Sequence, residues 1–198
     1  MIEDMFGDVP PVEVDWYPHW LSPEEAALAL SALVDEVQWK QDSIRTPGGV
    51  KPLPRLTAWQ GDPGAVYVYS GIRNEPHKWT PTVSALKSLA ETTCATRFNS
   101  VLLNRYRSGD DSMGWHADRE PELGAQPVIA SVSLGVTRRF DLRHNETGRL
   151  CAFELTSGSL LVMRGRTQRD WRHRVAKAPG LRGERINLTF RCVETARR

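Results

Sequence analysis

The sequence predicts an α+β protein, mainly β: a double-stranded β-helix, or jelly roll, braced by N-terminal helices. Three observations carry this. From about residue 97 onward, short β-rich runs follow one another with turn signals between most of them. The two clear helical periods both lie upstream, each opened by a hydroxyl residue and a proline. Neither a repeat nor a linker separates the two regions, so helices and strands belong to one domain.

At 198 residues the chain has the length of one domain and can bury a core without disulfide or metal staples. Forty per cent apolar and 25% charged residues describe an ordinary soluble globular protein. We read residues 12–193 as the single domain, with a substrate-recognition lid in 40–80 and the jelly-roll core at 97–192. Residues 1–11 show no period and read as a loose tail. The net charge of +2 argues for no partner by itself. Arginine, however, greatly outnumbers lysine and clusters at Arg138-Arg139, from Arg164 to Arg174, and at Arg197-Arg198. Such clusters suit phosphates or form a solvated surface, and composition does not separate the two. Cys94, Cys151 and Cys192 are far apart, which fits a reducing compartment and excludes a disulfide frame or zinc cluster. The N-terminus is acidic and lacks the order of a secretory signal, and no apolar run has the length of a membrane span. The expectation is a soluble cytoplasmic monomer without membrane association.

Taken in order, Val12 to Trp16 alternates like a short strand. Ser22-Pro23-Glu24-Glu25 supplies an N-cap, a proline at the first helical position and acids in the first turn. Leu30, Leu33, Val34 and Val37 recur at helical spacing, so a helix from about Pro23 to Val37 packs that stripe on a core. Lys40 to Leu53 is polar and rich in Pro and Gly, with Thr46-Pro47-Gly48-Gly49 as a turn or hairpin tip. Arg55 to Trp59 and Ala65 to Tyr69 read as strands flanking the Gly61-Asp62-Pro63-Gly64 turn. They make either a core hairpin or a lid presenting aromatic faces to a substrate. Thr80-Pro81 opens a second helix to about Thr93, with Val83, Leu86, Leu89 and Ala90 on one side. The strands of the roll are Phe98 to Tyr106, Val128 to Gly135, Arg138 to Leu142, Leu150 to Leu155, Ser159 to Met163, Trp171 to Val175 and Arg185 to Cys192.

Chemistry concentrates between Asn104 and Glu120. In an extended segment, His116 and Asp118 leave on the same face and can aim at one spot. With a second histidine they complete a two-His-one-carboxylate set, which leaves coordination positions open and suits non-haem Fe(II). A lone His-x-Asp triplet is weak evidence, so the partner matters. His19 and His77 precede the roll, and His144 sits in a polar turn. His173 lies within a late strand, 55 positions past Asp118 (173 − 118), and is the best third ligand; otherwise it only decorates a basic strand. Arg185, Asn187, Thr189 and Arg191 share one face of the last strand. Two inward guanidinium groups need anions, met either by a small dicarboxylate or by structural salt bridges. Asn104 and Tyr106, again two apart, offer neutral donors to the same ligand.

In this order, Asn-x-Tyr, His-x-Asp, a late His and Arg-x-Asn-x-Thr-Phe-Arg resemble the AlkB family of Fe(II)- and 2-oxoglutarate-dependent dioxygenases. The similarity runs from about Pro54 to Arg191 and takes in Pro54-Arg55, Tyr69-Ser70-Gly71, Phe98-Asn99, Ile129 to Gly135 and Gly158 to Leu161. These details are closer to the nucleic-acid-repair branch than to branches acting on protein or lipid. The resemblance implies that His116, Asp118 and His173 hold Fe(II), and that Asn104, Tyr106, Arg185, Asn187 and Arg191 hold 2-oxoglutarate, with O2 as the other co-substrate. It implies that Tyr69 stacks on a flipped base, that Glu120 reads the base's amino group, and that Arg55 works near the substrate. The reaction implied is oxidative demethylation of N-alkylated bases in DNA or RNA, of the 1-methyladenine and 3-methylcytosine type, giving formaldehyde, succinate and CO2. Arg119 and Arg139 depart from the pattern, standing where close repair relatives often carry acids; their charge either strengthens phosphate contact or is neutral surface change. Two other expectations are a 2-oxoglutarate-dependent hydroxylase of protein or small molecules and a catalytically silent metal-binding roll. Because the ligands line a cavity, replacing His116 or Asp118 is expected to leave the fold intact.

Overall fold

The computed structural model describes residues 11–46, 48–69 and 72–194. β1 (Val14–Tyr17) leads into α1 (Pro23–Glu36). The start of α1 is fixed by a capping box: Ser22 Oγ accepts from the Glu25 N–H (3.2 Å), and the Glu25 carboxylate accepts from the Ser22 N–H (2.8 Å). β2 (Ser43–Thr46) and β3 (Gly49–Pro52) pair as a hairpin, followed by β4 (Leu56–Gly61), β5 (Tyr67–Tyr69) and β6 (Ile72–Asn74). α2 (Pro81–Cys94) precedes β7 (Ser100–Tyr106) and β8 (Met113–His116). After a 3-10 turn at Pro121–Leu123 come β9 (Ile129–Gly135), β10 (Arg138–His144), β11 (Leu150–Leu155) and β12 (Ser159–Met163). A single helical turn, α3 (Thr167–Asp170), leads to β13 (Trp171–Val175) and β14 (Arg185–Arg191).

Six antiparallel strands, ordered β1-β12-β9-β14-β7-β4, form the larger sheet, and β11-β10-β13-β8 form the smaller one. The period-2 alternation of the strands divides the larger sheet into two faces. Ile186, Leu188 and Phe190 of β14, with Val101, Leu103, Val132 and Leu134, pack in one apolar cluster with Leu33 of α1 and Val83 and Leu86 of α2. On the opposite face Tyr106, Ile129, Leu161 and Met163 meet Phe140, Leu142, Trp171 and Val175 of the smaller sheet. This is the jelly roll the strand spacing predicts, with the helices against one face.

Four expectations need correction. β4 and β5 are not a hairpin: β4 pairs with β7, and β5 pairs with β6 in a separate two-stranded sheet. The turn between them closes on itself, with the Ala65 N–H on the Asp62 carbonyl (3.0 Å) and the Trp59 indole N–H on the Ala65 carbonyl (3.0 Å), and carries the chain off the sheet. Leu89 is 49% exposed, because α2 turns Val83, Leu86, Ala90 and Cys94 inward instead. Thr80 makes no side-chain cap; Glu36 at the end of α1 accepts from the Thr82 N–H (3.1 Å) and hydroxyl (2.7 Å). His144 is buried at the end of β10, edge-on to Trp171, and not in a solvent turn. The tail at 1–10 and the Ser70-Gly71 pair lie outside the described residues. Among the described residues no helix is long and apolar enough to cross a membrane.

Leu33 is fully buried, whereas Leu28 on the same helix is 66% exposed. Leu33→Ala is expected to lower unfolding free energy by about 2–5 kcal/mol in urea titration. Leu28→Ala is expected to stay within about 0.5 kcal/mol of the parent.

Candidate active site

β8 ends at His116, and the sheet register sets His116 opposite His173 of β13. Their rings lie 4.1 Å apart between centroids, at 67°. Asp118 follows two residues later, with Oδ1 3.9 Å from His116 Nε2. One ligand atom from each of the three residues lies within 4.8 Å of the others. His116 Nδ1 is 2.9 Å from the Gly114 carbonyl, an acceptor only. The proton therefore sits on Nδ1, and Nε2 keeps its lone pair for a metal.

Asp118 and Arg191 form a buried ion pair, Nη2 to Oδ2 at 2.9 Å. Burial opposes ionisation of Asp118, but the Arg191 guanidinium beside it carries its pKa below the usual carboxylate value. Burial, reinforced by His116, pushes His173 down to about 3, and burial also lowers His116. Two neutral imidazoles and one carboxylate are the protonation state a metal site requires.

The same cavity is lined by Asn104, Tyr106, Arg185, Asn187 and Arg191. All eight residues assigned to metal and dicarboxylate therefore meet in one place. Arg185 is buried and donates from Nη2 to Ser133 Oγ (2.8 Å), while its Nε and Nη1 have no hydrogen-bond partner. Burial pushes its pKa down to about 10. Its guanidinium lies 5.2 Å from the Tyr106 ring, with Arg138 5.5 Å from the same ring. A buried cation with two unpartnered nitrogens is costly without an anion, so this side chain fits a carboxylate ligand. Asn187 donates to Ser131 Oγ and the Val132 carbonyl, both at 2.8 Å.

Arg55 is buried, donating from Nε to Asn104 Oδ1 (2.7 Å) and from Nη1 to the Ser112 carbonyl (3.2 Å). Glu120 keeps one buried carboxylate oxygen without a partner. Tyr69 belongs to β5, but its side chain lies outside the described residues. Arg119 is engaged with the Gln168 and Arg169 carbonyls (2.6 and 2.9 Å), and Arg139 with Asp141 (2.8 Å). Arg138 is no phosphate contact: it is buried and donates to the carbonyls of Ser108, Asp111 and Ala176. Ser131 and Ser133 escaped the sequence reading. Their signal was two polar residues, two apart, in the otherwise apolar run Ile129-Ala130-Ser131-Val132-Ser133-Leu134.

A family model described as the 2OG-Fe(II) oxygenase superfamily matches residues 13–191. The chain belongs to this superfamily. Fe(II), 2-oxoglutarate and O2 go with that membership, and the His116, Asp118 and His173 cluster is positioned for the iron. The chain is 44% identical over 187 residues to alpha-ketoglutarate-dependent dioxygenase alkB homolog 3 of Mus musculus, covering 89% of this chain and 65% of that one. It is 39% identical over 184 residues to DNA oxidative demethylase ALKBH2 of Arabidopsis thaliana, covering 79% and 59%. The chain thus spans 65% and 59% of the length of these two curated relatives, less than two thirds of either. A solved structure, that of OsALKBH1, superposes with a TM-score of 0.65 at 16% identity, over 93% of this chain and 98% of that one. At that identity the likeness concerns the fold alone.

The buried ion pair revises the expectation that both ligand replacements spare the fold. Asp118→Ala takes from Arg191 its buried carboxylate and is expected to cost about 3–5 kcal/mol in urea unfolding of the metal-free protein. His116→Ala, which removes a hydrogen bond local to its own strand, is expected to remain close to the parent.

Proposed function

We propose that this chain is an Fe(II)- and 2-oxoglutarate-dependent dioxygenase that oxidatively demethylates N-alkylated bases in DNA or RNA, working as a soluble monomer. The observation that carries the reading is one cavity holding both the His116, Asp118 and His173 donor set and the buried Arg185 with its two unpartnered nitrogens. The names of the relatives, a DNA oxidative demethylase among them, supply the substrate class.

In this reading His116, Asp118 and His173 hold the metal and leave part of its coordination sphere open. Arg185 takes the far carboxylate of 2-oxoglutarate through the N–H groups that have no protein partner, with Tyr106 and Asn104 beside it. Arg191 keeps Asp118 ionised, and Arg55 fixes the Asn104 amide. Bound there, iron, 2-oxoglutarate and O2 supply the oxidation that turns an N-methyl group into a hydroxymethyl, lost as formaldehyde, with succinate and CO2 formed alongside. Glu120, two residues past Asp118, offers a desolvated carboxylate oxygen to the amino group of a flipped base. An N-alkylated cationic base gains more from that contact than a neutral base does. Tyr69 provides the stacking face.

The test uses the full chain loaded anaerobically with Fe(II), then given air, 2-oxoglutarate and a single-stranded oligonucleotide carrying one 3-methylcytosine. Formaldehyde release with loss of the methyl mass, dependent on both iron and 2-oxoglutarate, is the expected result. Succinate without methyl loss would move the substrate to protein or small molecules; neither product would sink the oxygenase reading for this chain. Arg185→Ala is expected to raise the 2-oxoglutarate concentration for half-maximal turnover at least about tenfold, the loss of one charge-assisted contact. Glu120→Gln is expected to slow turnover on 3-methylcytosine while leaving succinate formation without substrate unchanged.

A further inference from the structure

Asp118 lies two residues beyond the end of β8, where no sheet ladder fixes its backbone. Its N–H instead donates to Gln168 Oε1 at 2.9 Å. Gln168 is only 3% exposed, and its amide nitrogen is held in turn by Met163 Sδ at 3.2 Å. Gln168 rides on α3, four residues that are too few to be a stable helix alone. That turn is held from three sides. Glu13 accepts from the Arg166 N–H (2.8 Å) and from the Thr167 hydroxyl (2.9 Å). Arg119 grips the Gln168 and Arg169 carbonyls. Asn145 reaches the Arg169 carbonyl through Nδ2 and the Asp170 carbonyl through its N–H, both at 2.9 Å. The segment carrying Asp118 is therefore stapled twice to one braced turn, by its own N–H and by the next side chain.

We infer that Gln168 is a positioning residue for Asp118, an inference that rests on the reading of the triad as metal ligands. Arg191 fixes one carboxylate oxygen from the larger sheet, and Gln168 fixes the backbone from the opposite end. Both restraints together aim the other oxygen at His116 and His173. Without the Gln168 acceptor, the Asp118 N–H is left buried and unsatisfied, and the carboxylate follows Arg191 out of the donor set.

The experiment is anaerobic titration of the metal-free full chain with Co(II), read by calorimetry and by the visible d–d bands. Gln168→Met keeps length and removes the oxygen acceptor; it is expected to weaken Co(II) binding about 10–100-fold and to alter the bands. Gln168→Glu keeps an oxygen at the same reach and is expected to bind within about threefold of the parent, far inside the range a lost outer contact produces. Parent-like binding by Gln168→Met, or equal loss in both variants, would overturn the inference. Should Gln168→Met not fold, Arg119→Met loosens α3 from outside and is expected to weaken Co(II) binding as well; parent-like affinity there overturns the inference too. A parent that takes up no Co(II), or a His116→Ala variant that binds as the parent does, would instead sink the triad reading itself.

Discussion

The pair between Arg191 and Asp118 joins the two sheets at the point where the chemistry sits. Arg191 ends the central strand of the larger sheet, and Asp118 follows the edge strand of the smaller one. Both charges are almost wholly removed from water, which is tolerable only if they stay together. That demand makes the inner face of β14 polar, in a position where a β-sandwich ordinarily continues its core. The rest of the cavity answers it. Ser131 and Ser133 on β9 accept from Asn187 and Arg185, and Asn104 on β7 accepts from Arg55. The opposite face of the same strands stays apolar against the helices, so one sheet separates a packed core from a polar chamber.

Much of this was legible in the chain, for reasons that differ between elements. β11, β12 and β13 match their sequence readings to the residue, because turn chemistry bounds them and their periods are short and clean. The His-x-Asp spacing and the strand holding His173 exposed the donor set, although Asp118 lies past the end of β8 and is held by Arg191 and Gln168 instead of by a strand's period of two. β6 and α3 were invisible. Each is a handful of residues held by contacts distant in sequence, and α3 has too few residues to carry a helical period.

Arginine was the least readable residue. Arg138, Arg185 and Arg191 are all buried, yet the first is satisfied by backbone carbonyls from two loops, the second keeps two nitrogens without a hydrogen-bond partner and the third answers Asp118. Nothing in composition or periodicity distinguishes these fates. Carbonyl partners carry no sequence signature, because every residue supplies one. The same blindness hid Gln168, whose role depends on a backbone N–H and on a turn that exists only in the assembled fold.

The two halves of the chamber sit on strands of unequal standing. β14 is bonded on both sides, to β9 and β7, and is buried along its whole length. β8, which carries His116, is bonded only to β13 and forms the rim of its sheet. Rim strands open at a smaller free-energy cost than central ones, so amide protons of β8 would exchange with solvent well before those of β14. Local breathing therefore frees His116 first, while Arg185 and Arg191 stay fixed on the central strand and their polar chamber outlasts the opening of its rim.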